Sequence, residues 1–217
     1  MELSVFDIIG NGVSNQEISD TIAQKLKDKY NEEFCVKMIG NRYGTATDDF
    51  VLAYCFPKNN EKVLFTASLN KDETVLEDDY YLKNVSFMLG DTFENEFKKN
   101  NTEVIAKIKT IGINKLNENL SIKEFIENYE ETSFLAKFIC SKKIDEEILK
   151  DIYSQVEKEY KNINLKSAVY YMENEELEEF KDVAQKIPDI TEAIIEKYNA
   201  KEEKIIKISE GNVVIIK

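Results

Sequence analysis

Paired carboxylates, a single arginine beside a tyrosine, and three cysteines are the residues of this chain with chemical potential, and histidine is absent. Without an imidazole there is no Ser-His-Asp or Cys-His base, no zinc-protease helix motif, and few ways to build a zinc site. Asp48-Asp49 stands at a strand entry and Glu77-Asp78-Asp79 at a helix start. Acids in a first helical turn are favoured by the macrodipole, by about 0.3–1 kcal/mol each, which accounts for 77–79 as solvated capping residues. Neither cluster has the alternating acids and turn glycine of a calcium loop. The acid-rich run from Glu173 to Asp182 reads as the wet face of a helix.

Other motifs are weaker. Ser68-Leu69-Asn70-Lys71 fits the S-x-x-K pattern of serine acylases, but it ends a strand where such an enzyme needs a helix start. Gly40-Asn41-Arg42-Tyr43-Gly44-Thr45 lacks the lysine and spacing of a phosphate loop and leads into a strand. It reads as a hairpin loop or a recognition loop. Arg42 is the only arginine, always charged and able to make bidentate contacts, and Tyr43 beside it offers a rigid aromatic surface. Arg42, Tyr43, Asp48 and Asp49 are therefore the candidate binding residues. Cys35, Cys55 and Cys140 each sit among apolar neighbours and read as reduced, buried thiols, the alternative being a Cys35–Cys55 bridge across a hairpin. In the pairs Tyr80-Tyr81 and Tyr170-Tyr171, one ring of each is expected to be partly exposed.

The elements that must position these residues follow from period and caps. Ser14-x-x-Glu17 and Ser121-x-x-Glu124 are capping boxes opening amphipathic helices. Further helices begin at Asp145 and Asn174, the latter stopped by Pro188 and followed by another reaching about Asn199. A long helix spans about 78–99. Strands are expected at 34–39, 50–56, 62–69, 103–111, 133–140 and 165–172, with a C-terminal hairpin around Glu210-Gly211-Asn212. The 50–56 segment is apolar on both faces, as a central covered strand would be. Three helices end in tyrosine followed by asparagine, at 29–31, 159–162 and 197–199, where asparagine can take the left-handed position usually filled by glycine. The whole is α+β, in two sheet-and-helix lobes packed as one compact unit, residues 1–115 and 116–217, with a seam near 113–119 and no flexible linker.

Lys29-Tyr30-Asn31-Glu32-Glu33-Phe34 runs into a strand, and Tyr54-Cys55-Phe56-Pro57-Lys58 ends one. With Asp78-Asp79-Tyr80-Tyr81, Ser121-Ile122-Lys123-Glu124-Phe125 and the 165–171 strand Leu-Lys-Ser-Ala-Val-Tyr-Tyr, the chain resembles a group of uncharacterised α/β proteins of low-GC Gram-positive bacteria, many of them predicted lipoproteins. The resemblance covers nearly the whole chain and carries no catalytic signature. No leader or lipid-accepting cysteine stands near Met1, so the expectation is cytoplasmic as the sequence stands, and extracellular or membrane-anchored if a leader was removed.

A net charge of −13 argues against binding a phosphate backbone, and no apolar run is long enough to span a membrane. The expectation is a non-catalytic interaction module, accessory or immunity-like, with no cofactor or metal, whose partner is a basic protein or a cell-envelope component. The alternative is a histidine-free hydrolase working through two carboxylates. If the 40–49 loop is a recognition element, Arg42→Ala and Tyr43→Ala each leave the melting temperature unchanged and weaken partner binding by more than about 1 kcal/mol in a titration.

Overall fold

The computed structural model describes residues 15–40, 49–187 and 189–216. Ser14, Arg42, Tyr43, Asp48 and Pro188 lie outside the described residues. The chain is α+β and divides into two compact units, Met1–Tyr80 and Tyr81–Lys217. The expected seam at 113–119 is thus displaced: the long helix and the strand after it belong to the second unit. The reason is pairing, because that strand runs register for register along the first strand of the expected second lobe.

The first unit opens with α1 (Asn15–Tyr30), whose stripe Ile18, Ile22 and Leu26 is buried at the predicted i, i+4, i+8 spacing. Strands β1 (Phe34–Ile39), β2 (Phe50–Pro57), β3 (Phe65–Asn70) and β4 (Leu76–Asp78) follow in a sheet of order β1-β2-β3-β4, antiparallel throughout. The expected three strands are joined by a fourth. At three residues β4 is too short to show a period, and it falls where helix was expected to begin. The middle strand β2 is interior, as expected, but only one of its faces is closed. Val51, Ala53 and Cys55 are buried while Leu52, Tyr54 and Phe56 are half-buried and Phe50 is exposed.

The second unit carries the five-stranded sheet β5-β6-β7-β8-β9. Helix α2 (Tyr80–Lys99) leads to β5 (Val104–Ile111), and α3 (Ile122–Asn128) precedes β6 (Ser133–Cys140). Ser121 caps α3 through the full reciprocal box with Glu124. Helix α4 (Glu146–Glu159) crosses over to β7 (Leu165–Tyr171), which lies parallel to β6, while the other pairings are antiparallel. Helices α5 (Asn174–Ala184) and α6 (Glu192–Lys197) lead to the hairpin of β8 (Lys201–Ser209) and β9 (Asn212–Ile216).

Both faces of this sheet are apolar, and each meets different helices. On one face α2, α3 and α4 build a continuous core around Phe93, Phe97, Phe125, Phe138 and Tyr153. Phe93 meets Phe138 at 4.8 Å and Tyr153 at 5.1 Å between ring centroids. Fully burying a side chain of this size contributes about 1.5–3 kcal/mol. On the other face α5 and α6 cover Ile139 and Tyr170 with Leu177, Phe180 and Ile195. Tyr81 and Tyr171 are the half-buried members of their pairs, as expected.

The tyrosine–asparagine helix ends behave as the sequence implies. Asn31, Asn162 and Asn199 have φ of 53°, 67° and 52°, and Asn101 after α2 joins them at 54°. Asparagine tolerates this left-handed region, whereas a β-carbon without a local hydrogen-bonding group costs about 1–2 kcal/mol there. Asn162→Ala is therefore expected to lower stability by about 1 kcal/mol in denaturant unfolding, and Asn162→Gly to leave it nearly unchanged.

Candidate functional site

Of the four candidate binding residues, only Asp49 is described; it is exposed, and its carbonyl accepts the Lys71 N–H at 2.8 Å. Gly40, at the other end of the loop, donates its N–H to the Leu52 carbonyl at 2.7 Å.

Glu77-Asp78-Asp79 is not the solvated helix start that was expected. Only Glu77 is exposed. Asp78 ends β4 on the face paired with Ala67, so its carboxylate points inward and its side chain is 1% exposed. A buried charge must be paired. Asp78 accepts from Lys29 Nζ at 2.7 Å, from the Tyr30 hydroxyl at 2.5 Å and from the Tyr80 N–H at 3.2 Å. Asp79 accepts from the Thr66 N–H at 2.7 Å and the Thr66 hydroxyl at 2.9 Å. Tyr30, Phe34, Phe65 and Tyr80 pack in edge-to-face and tilted contacts around this point, with neighbouring centroids 5.0–5.7 Å apart. The group latches α1 to β4, and both Asp78 oxygens are used in doing so.

The cysteines are free, with Cys55 and Cys140 buried and Cys35 half-buried. Cys35 lies opposite Phe56 and Cys55 opposite Val36, which places the two thiols on opposite faces of the hairpin. No group of three potential metal ligands occurs among the described residues.

An open groove of about 650 Å³ runs between α2 and α4, lined by Glu96, Lys99, Asp151, Gln155, Lys158 and Glu159, with Asn100 at its end. Its α2 polar groups serve one another. Lys99 Nζ contacts Glu96 at 2.5 Å, and the Asn100 amide donates to the Glu96 carbonyl at 3.1 Å.

Among the described residues, a surface with few internal partners lies on the second sheet. Where α5 and α6 stop, its outer face is bare. Pairing places Lys109, Leu135, Lys166, Lys207 and Val214 in one row across all five strands. Ile111 and Ile216 share the face two residues further along β5 and β9, but these strands run in opposite directions, so Ile111 lies beyond the row on one side and Ile216 on the other, in line with Lys107 and Lys137. Four aliphatic side chains are open here: Ile111 is 37%, Leu135 44%, Val214 51% and Ile216 45% exposed. They fall in two pairs, Ile111 with Leu135 and Val214 with Ile216, at the two ends of the row, with Lys166 and Lys207 between them. Sequence reasoning missed it. The alternation in each strand was visible, but the row joins residues about a hundred positions apart and exists only through register.

No family model and no curated protein matches this chain. One solved structure is similar, the crystal structure of a DUF5037 family protein from Ruminococcus gnavus ATCC 29149. It has a TM-score of 0.67 and 18% identity, covering 91% of this chain and 94% of that one. The two share the α+β fold over nearly their whole lengths, and an uncharacterised family fits the resemblance seen in the sequence.

The buried acids of the first unit have a measurable consequence. Burial, then the nearby Asp78 and Asp79 carboxylates, pushes the Cys55 thiol up from 9.0 to about 12. Burial also raises the Tyr153 hydroxyl above its ordinary value. Between pH 9 and 12 the unfolded chain loses a Cys55 proton that the folded chain keeps, so stability falls as pH rises through this window. The denaturation midpoint is expected to drop from pH 9 to pH 11, and Cys55→Ala to make that drop shallower.

Proposed function

We propose that this chain is a non-catalytic interaction protein and that the bare outer face of its second sheet is the docking surface. The observation that supports the reading is the row in which Leu135 and Val214 stand exposed with Lys109, Lys166 and Lys207, on a stretch of that face left without a helix. The other face of the same sheet shows what an apolar strand surface ordinarily requires, since α2, α3 and α4 cover it. The 40–49 loop, with Arg42, Tyr43, Asp48 and Asp49, enters the proposal as a second contact. No helix among the described residues is long and apolar enough to cross a membrane.

The alternative is a histidine-free hydrolase, which would act in the α2–α4 groove, where Glu96, Asp151 and Glu159 share one concave surface. Its retaining or inverting mode would turn on the spacing of two of these acids. In that case Glu96→Gln or Asp151→Asn abolishes turnover of a substrate found by screening.

Site-specific photo-cross-linking separates the readings. With a photoreactive side chain at Leu135, the full chain in its native cytosol or envelope extract is expected to form discrete adducts. The same group at Glu179 on α5 is expected to form none. Equal labelling from both positions would remove the docking face from consideration.

A further inference from the structure

The charge of the bare face is opposite to that of the chain. In a protein of net charge −13, the row across this face holds Lys109, Lys166 and Lys207, all exposed. Lys166 and Lys207 stand directly opposite each other on β7 and β8, and neither forms an ion pair with any described residue. Like charges placed opposite across a ladder are destabilising. Lys109 has one distant partner, Asp189, at 4.0 Å.

The neighbouring row on the same face shows how such a pair is satisfied. Lys107 and Lys137 are also directly opposite, on β5 and β6. The segment between α5 and α6 lies over them. Lys107 Nζ donates to the Ile187 carbonyl at 3.2 Å, and Lys137 Nζ to the Ile190 carbonyl at 2.7 Å and the Glu192 carboxylate at 2.7 Å. Apolar residues of the same stretch, Ile187, Ile190, Ile194 and Ile195, pack beside them. The molecule thus covers one lysine row with a segment of its own that brings carbonyls, an acid and aliphatic side chains together.

We propose that the Lys109–Leu135–Lys166–Lys207–Val214 row binds an acidic, aliphatic-rich segment of a partner protein, seated as the 187–195 segment is seated on the adjacent row. This rests on the docking reading above and adds the chemistry of the partner. The row crosses four interstrand spacings, roughly 19 Å, a span that a short peptide segment covers. Leu135 and Val214 between and beside the lysines favour a protein over single-stranded nucleic acid, whose bases need aromatic rings to stack on. No aromatic residue lies in the row or beside it on this face. Whole-chain charge points to a basic partner, but the field at this surface is set by the nearest charges, since more distant ones are screened beyond about 8–10 Å.

The test uses the full chain and three probes: a fluorescent peptide of alternating Glu and Leu, its Lys/Leu counterpart, and vesicles containing phosphatidylglycerol. Wild type is expected to bind the Glu/Leu peptide at least about tenfold more tightly than the Lys/Leu peptide, with affinity falling as salt is raised. Lys166→Glu with Lys207→Glu is expected to reverse the preference while the melting temperature stays within a few degrees, because one exposed like-charge pair replaces another. Lys166→Gln with Lys207→Gln serves if the doubly acidic variant does not fold, and is expected to abolish the preference. Equal binding of both peptides, an unchanged preference in the variants, or vesicles displacing the Glu/Leu peptide would each overturn the assignment. If the acidic peptide fails to bind while residue 135 still cross-links to a partner, the docking face stands and its proposed partner chemistry falls.

Discussion

The register between β6 and β7 is the constraint on which the second unit depends. Side chains alternate between faces along a strand, so a slip of one residue would exchange the whole apolar set of one face for the other. Phe138 opposite Val169, and Ala136 opposite Ser167, put the large residues under α2 and α4. A buried polar chain holds this register across to β8. The Tyr153 hydroxyl and Ser167 Oγ meet at 2.6 Å, and Ser167 Oγ donates to the Ile206 carbonyl at 3.1 Å. A buried hydroxyl left without its partner costs about 1–3 kcal/mol, so α4, β7 and β8 are committed to one alignment. The same alignment brings Lys166 opposite Lys207 and opens the row on the far side.

The two sheets solve the problem of cover differently. The first is closed by α1 on one side and leaves Leu52, Tyr54 and Phe56 half-buried on the other. Its polar investment is concentrated in the Asp78 latch, where the carboxylate, two tyrosines and a lysine tie the end of α1 to the last strand. The second is covered fully on one face and partly on the other. Its edge strand β5 is guarded as edges commonly are, with the Glu94 carboxylate accepting the Ala106 N–H at 3.0 Å. The uncovered stretch of the outer face is where unsatisfied charge and exposed aliphatic surface coincide.

Most elements of the fold are legible in the chain itself. Helix stripes, the Ser121 capping box, the helix-ending asparagines and the Gly211 turn depend on local geometry, and local geometry is written in neighbouring residues. Strands of six to eight residues betray themselves by alternation and β-branched content. The strand β4 did not, because three residues carry no period and its place in the sheet comes from pairing with β3. Asp78 misled for a related reason. Acids before a helix are usually solvated, and only the return of α1 to the same spot makes this one buried.

The sequence by itself therefore determined the α+β class, the order of the elements other than β4 and the absence of imidazole chemistry, since each depends on composition or on residues within a few positions of one another. It also set the chain's overall acidity. The division at Tyr80, the burial of Asp78 and the lysine row were decided only by tertiary structure. Each joins residues separated by tens of positions, and which of them meet is fixed by strand register and by where covering helices end. A whole-chain charge of −13 says nothing about a local patch of the other sign until pairing brings Lys109, Lys166 and Lys207 onto one face.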